Sequence, residues 1–360
     1  MNRTLQAVAG CCAILLAGAA FAQGESSWTD RITLDGDFRL RYESIDAEGD
    51  PTRDRARIRG RFGLEAEASD DLKFVFRFAT GTGSPVSTNV TLDSGFSGKD
   101  IFVDRAYVDW TINDAFRLFA GKIRRPWFRA GDTQIVWDND LNPEGLALLY
   151  DDGPLFGSLG AMMVEERSAD DDSLLLTLQG GWRGKLGDNA GLTAGASYFA
   201  YEDTVGRTPF YDGDPAGNRV DLAGNYLADF RIVELFAEFS TRLDNWPLRL
   251  YAATVQNTAV DDEDSGFTVG VTAGDTDEPG RWEFDYAWRD TEADAVVGTF
   301  NDSNFGGGET DSRGHVIQST YALRENVSLR GTLFFNERGM STGVTQDYQR
   351  VIFDIQFSFE

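Results

Sequence analysis

Two groups of side chains have the types and spacing to do chemistry, and both would do it through charge. The first is basic. Arg39 and Arg41, then Arg57, Arg59 and Arg61, then Lys73 and Arg77 recur two or four residues apart in three successive segments. Alternate residues of an extended chain share one face, so neighbouring strands would gather these cations on one wall. Like charges this close destabilise one another unless water or carboxylates intervene. Asp35, Asp37, Glu65 and Glu67, on the same faces, are the nearest candidates. The second group is acidic: Asp132, Asp138 and Asp140, with Glu144 just beyond. Fixed charges of this kind steer ions and polar solutes by their field; they do not transform them.

Catalysis finds little support. One histidine, His315, stands at the start of a strand-like segment. Ser319 shares its face, but four residues of strand put it about 13 Å away, too far for proton transfer. Ser312 falls in a loop and escapes this argument. The bland reading of His315 is a polar residue lining an interior channel. No phosphate-binding glycine loop, His-x-x-His pair or dinucleotide fingerprint is present, and no cofactor site is expected. Acidic runs at Asp170-Asp171-Asp172 and Asp261-Asp262-Glu263-Asp264, and the segment 292–311, lack the calcium-loop spacing with its central glycine and terminal glutamate. They read as solvated loop surface.

The elements that must position the charges follow from the rest of the chain. Residues 1–22 read as an export signal: Arg3, an apolar run from Leu5 to Ala20, and the small-x-small site Ala20-Phe21-Ala22, so that the mature chain would begin near Gln23. Val8-Ala9-Gly10-Cys11 resembles a lipoprotein site, but cleavage there would leave most of the apolar run attached. Both cysteines, Cys11 and Cys12, lie inside this leader, which excludes a disulfide-stapled mature domain. Removing Arg3 leaves 32 basic against 59 acidic residues, a net charge of −27. Phosphate neutralisation is thereby excluded, and with it nucleic-acid binding. Nothing after residue 22 approaches the roughly 18 apolar residues of a membrane-spanning helix.

What the mature chain does show is period-two alternation. Val351, Phe353, Ile355, Phe357 and Phe359 share a face, with Arg350, Asp354, Gln356 and Ser358 on the other. Trp282, Phe284, Tyr286 and Trp288 alternate with Arg281, Glu283, Asp285 and Arg289. Sixteen strands are expected, at 31–43, 55–69, 72–80, 100–111, 115–123, 144–151, 157–165, 173–183, 190–201, 231–242, 247–256, 265–274, 280–290, 313–323, 327–336 and 348–359. Their connections alternate short (70–71, 112–114, 243–246, 324–326) and long (44–54, 81–99, 124–143, 202–230, 291–312). Short turns at one rim, long loops at the other and an even strand count describe an all-β, antiparallel, up-and-down transmembrane barrel. Trp110, Trp182, Trp246, Trp282, Tyr198 and Phe359 fall near strand ends, where interfacial girdles sit. The barrel would occupy 31–360 after a short periplasmic lead, 23–30. A barrel of sixteen strands encloses water and not a packed core.

Several stretches resemble the putative porin family of Gram-negative bacteria: Asp35 to Glu43, Arg57 to Leu64, Pro85 to Asn89, Asp104 to Tyr107, Ala120 to Lys122 and Val136 to Gly145. The resemblance implies an outer-membrane channel for passive diffusion of small hydrophilic solutes and ions. It implies no particular solute, and no choice between anions and cations. By analogy with general porins, the loop 124–143 after the fifth strand would fold inward, setting Asp132, Asp138, Asp140 and Glu144 across from the basic wall. The same analogy suggests a homotrimer, set among outer-membrane lipid and lipopolysaccharide and delivered by the barrel insertion machinery. One departure is the C-terminus, where Glu360 follows Phe359 although such barrels commonly end on the aromatic residue. The alternative is an adhesin or receptor barrel whose long acidic loops bind a partner.

Overall fold

Apolar side chains at every second position demand a non-aqueous environment on one side of the ribbon, and backbone groups in lipid must all be paired. A closed antiparallel sheet meets both demands. A computed structural model describes residues 28–359, so the leader, residues 23–27 of the lead and Glu360 lie outside the described residues. A short 3-10 turn at Trp28–Arg31 leads into the wall.

The strands are β1 (Ile32–Ala47), β2 (Arg53–Ser69), β3 (Leu72–Thr80), β4 (Val90–Thr91), β5 (Ile101–Thr111), β6 (Phe116–Lys122), β7 (Glu144–Asp152), β8 (Leu155–Glu165), β9 (Ser173–Lys185), β10 (Gly191–Tyr201), β11 (Arg231–Leu243), β12 (Trp246–Asn257), β13 (Ser265–Gly274), β14 (Trp282–Thr291), β15 (Ser312–Arg324), β16 (Val327–Arg338) and β17 (Gln346–Phe359). Each long strand pairs antiparallel with its sequence neighbour, and β17 returns to β1 to close the wall. Sixteen strands span it. The remaining one, β4, is a two-residue strand that pairs with β2 at Arg57↔Thr91 and Ile58↔Val90, above the point where the shorter β3 stops. Alternation could not announce so short an element.

The seam between β1 and β17 carries both kinds of contact. On the outer face Phe38 meets Phe357 and Phe62 meets Phe359, at ring-centroid distances of 6.4 and 6.5 Å. Gly36 lies beneath this contact, and a Cβ there would stand 2.7 Å from the Phe359 ring. On the inner face Arg41 and Asp354, register partners, are joined at 2.7 Å.

Leu159, Leu178, Leu235 and Phe353 point outward with 54–60% of their surface exposed. In water that much bare apolar area would be unfavourable at about 25 cal/mol per Å²; against hydrocarbon it is at home. Trp110, Trp182, Trp246 and Trp282 all stand at the short-turn rim, each 40–50% exposed.

The interior departs from the expectation of a wholly water-filled lumen. On β6 to β12 the inward residues include Phe119, Phe156, Leu175, Phe199 and Phe236, all buried. Three long loops, 123–143, 202–230 and 292–311, fold in over them. Trp127 meets Trp137 edge-on at 4.8 Å, Trp137 meets Phe300 at 5.8 Å, and Phe300 stacks on Phe210 at 5.7 Å, so the loops interlock through aromatic rings. The physical reason is that β8 and β9 are apolar on both faces, as the run Leu174-Leu175-Leu176 shows. One side of the barrel interior is therefore packed largely with apolar side chains, and the charged residues that border the polar cavity come mainly from β1 to β5 and β12 to β17.

A cation placed outward at mid-wall should be costly, and one at the rim tolerated. Leu159→Arg is expected to lower stability by about 2–4 kcal/mol and Leu243→Arg, beside the 244–245 turn, by about 0–1 kcal/mol. Denaturant titration in phospholipid vesicles measures both, and equal losses would contradict a lipid-facing belt.

Candidate functional site

The register of β1 and β2 sets Arg39 opposite Arg59 and Arg41 opposite Arg57, with Arg61 opposite Asp37. All six face inward. Arginines directly across from one another repel, so the wall depends on the carboxylates threaded through it. Asp37 takes Arg59 at 2.7 Å and Arg61 at 2.6 Å. Asp354 receives Arg41 through both oxygens, at 2.7 and 2.8 Å. Glu43, fully buried, holds Arg55 at 2.5 Å, Arg57 at 3.4 Å and also Arg350. Asp104 pairs with Arg77. Two guanidiniums are met chiefly by amides: Arg39 donates to Asn89 Oδ1 at 2.7 Å, and Arg105 to Asn142 Oδ1 at 2.8 Å.

The loop 123–143 crosses the barrel interior from β6 to the strands opposite. Its tip, the 3-10 turn Ala130–Asp132, meets β11 to β13: Gly131 N donates to Glu238 at 2.7 Å, and Asp132 lies 3.8 Å from Arg249. On the return, Asp138 joins this loop to the loop 292–311. Its N–H donates to Phe300 O at 2.9 Å, and its carboxylate accepts from Ser303 N at 2.9 Å and from Asp140 N at 2.7 Å. Asp140 then reaches the basic wall. It accepts from Thr88 N and Oγ1 at 3.2 and 3.1 Å and stands 3.8 and 3.7 Å from Arg59 and Arg61. Between wall and loop lies a cavity of about 580 Å³, lined by Arg39, Arg59, Arg105, Asp140, Asp285 and Arg289 among others.

Asp138 and Asp140 are driven in opposite directions. Burial pushes the Asp138 carboxyl well above the usual carboxylate range, and Asp140 and Asp302 beside it add to the push. Burial acts on Asp140 too, but Arg59, Arg61 and Arg39 override it and hold that carboxyl below its ordinary value.

Some of the expected residues stand elsewhere. Lys73 faces inward but near the short-turn rim, 40% exposed in its side chain and paired with Glu67 at 2.9 Å, away from the arginines. The spacing explains it: four residues from Arg77 is about 13 Å along a strand. Glu144, at the first residue of β7, is 61% exposed and pairs with Lys122 at 2.7 Å, so it does not join Asp138 and Asp140. His315 does not line the interior. It lies on the outer face, its ring 4.5 Å from Trp288 and its Nδ1 3.0 Å from the Tyr286 hydroxyl. Its parity with Ile317 and Tyr321, both apolar, already carried that information. Of the carboxylates proposed to balance the wall, Asp37 does so and Glu67 serves Lys73; Glu43, Asp104 and Asp354 supply the rest. Glu43 and Arg350 are inward residues of the first and last long strands, legible only once those two strands are known to pair. Among the described residues no group of three His, Cys, Asp or Glu side chains could hold a metal ion.

Similarity to known proteins agrees with this architecture. OprB of Pseudomonas putida shares the fold with a TM-score of 0.61 and 13% identity, over 92% of this chain and 95% of that one. A triple mutant of the Rhodopseudomonas blastica porin does so with a TM-score of 0.54 and 12% identity, over 91% and 100%. No curated protein matches the sequence. The sequence model described as putative porin matches residues 45–219 and 219–359, and with its closed wall of sixteen strands the chain therefore belongs to the putative porin family of outer-membrane channels.

Proposed function

We propose that this barrel is a passive diffusion channel for small hydrophilic solutes and ions, and that its narrowest section lies between the basic wall and the loop 123–143. The observation that carries the reading is the position of Asp140: a loop carboxylate within 4 Å of Arg59 and Arg61, at the edge of a polar cavity. Fixed charges of both signs around this cavity, Arg39, Arg59 and Arg105 with Asp140, Glu283 and Asp285, would impose a field across it. That field orders water and polar solutes and disfavours apolar ones, whose entry would strip water from the charges without replacing it. The dry packing of β6 to β12 narrows the route further and pushes it off the barrel axis. The bare outer belt is where lipid and lipopolysaccharide would pack. The alternation running to Phe359 is the signal the insertion machinery would read. The assembly is a homotrimer in this reading, and the leader is cleaved near Ala22.

Planar-bilayer recording tests the channel directly. Discrete conductance steps are expected; a binding barrel with a sealed interior, the adhesin alternative, would give none. Replacing both Asp138 and Asp140 by Asn should move ion preference toward anions by about two- to threefold, because the negative charge of Asp140 is removed beside the arginines. If conductance and preference both stay at their wild-type values, the constriction is not at this loop.

The direction of the Asp138 shift gives a pH dependence. A carboxyl raised in the folded state is held protonated while its unfolded counterpart, at about 3.9, has already lost its proton. Its contribution is therefore complete at acid pH and is lost as pH rises from the ordinary carboxylate range to the raised value. The junction of the loops 123–143 and 292–311 should loosen on that climb, and conductance noise should increase. Asp138→Asn should flatten the dependence; a variant that keeps it would locate the titration elsewhere.

A further inference from the structure

The basic wall has more guanidinium groups than carboxylates to match them. Glu43 serves three arginines (Arg55, Arg57 and Arg350), and Asp37 serves two (Arg59 and Arg61). Asp354 and Asp104 are taken up by Arg41 and Arg77. Asp140 stands at 3.7–3.8 Å from two arginines that Asp37 already holds more closely. Arg39 and Arg105 are left over. Arg39 is 6% exposed; it reaches Asp354 only at 3.9 Å, its Nε has no hydrogen-bond partner, and its close contact is neutral Asn89. Arg105 is likewise met by neutral Asn142. Both border the cavity of about 580 Å³.

A guanidinium largely withdrawn from bulk water and paired with an amide has given up much of its hydration without gaining a counter-charge. Its planar array of N–H donors suits a carboxylate or phosphate oxygen pair. Resting on the channel reading above, we infer that the cavity is an oxyanion site: Arg39 and Arg105 bind the carboxylate or phosphate group of small permeating anions, and the channel prefers anions although the mature chain carries a net charge of −27. The overall charge does not decide the matter, because acidic loops in bulk solution are screened within about 8 Å at physiological ionic strength, whereas a partly buried charge is screened much less.

The test is reversal-potential measurement on the full-length barrel across a potassium chloride gradient, followed by titration with inorganic phosphate. Chloride is expected to be more permeant than potassium, and phosphate to reduce the chloride current. In the double variant Arg39→Gln, Arg105→Gln the chloride-to-potassium permeability ratio should fall by about threefold or more, and phosphate block should weaken. The charge-preserving Arg39→Lys, Arg105→Lys pair should keep the preference for chloride but lose phosphate block, since an ammonium lacks the paired donors. Arg281→Gln, in the 275–281 turn, serves as a control for charge alone. Potassium preferred over chloride in the wild type would overturn the assignment while leaving the channel intact, as would a Gln variant with unchanged selectivity and block. An absence of conductance steps would instead refute the channel reading beneath it. The wild-type measurements decide the sign of the preference even if the variants fail to fold.

Discussion

Backbone hydrogen bonding in a medium without water is the constraint on which everything else here depends. Each N–H and C=O within the hydrocarbon layer must find a partner in the sheet. A sheet with a free edge cannot do that, so β17 has to come back to β1, and the pairing Gly36↔Phe359 through Ala47↔Tyr348 is what makes the rest possible. Once the wall is closed, the pleat assigns every residue of every strand to lipid or to the interior. The outward Leu and Phe belt and the inward arginines are two results of a single closure.

The interior then has its own accounting. Arginines on adjacent strands face each other because the register of β1 and β2 leaves no choice, and their coexistence rests on carboxylates drawn from distant parts of the chain: Asp37 from β1 itself, Asp354 from β17, Asp104 from β5 and Asp140 from the inward loop. Buried ion pairs of this kind contribute little net stability once desolvation is counted. What they supply is position. A guanidinium fixed at both ends by carboxylates keeps its orientation when solute and water exchange around it, and a fixed field acts on a permeating molecule more effectively than a mobile one.

Strands were legible in the sequence and interior packing was not, for a physical reason. Alternation is a local property, so 72–80 and 265–274 were readable to the residue and most other boundaries to within two or three. The basic wall was readable too, since its arginines share parity on adjacent strands. Loops have no period. Phe210, Tyr226 and Phe300 look like isolated apolar residues in acidic, glycine-containing connections, and only in three dimensions does Phe210 join Tyr226 to Phe300, and Phe300 reach Trp137. Glu43 and Arg350 are brought together by a closure that spans almost the whole chain. The double-faced apolarity of β8 and β9 was a usable hint of a dry interior, because a strand apolar on both sides needs a second non-aqueous neighbour.

The aromatic clasp among the loops 123–143, 202–230 and 292–311 has a consequence for the cell surface. The three connections that the clasp joins, among the longest in sequence, are largely withdrawn from that surface. Those left projecting include 48–52, 92–98, 168–171 and 341–345, whose residues are exposed. Antibodies, phage and extracellular proteases would therefore meet chiefly these projecting segments and little of the interlocked loops. A foreign peptide meant for display on this barrel belongs in one of those small connections, where it would disturb no packing.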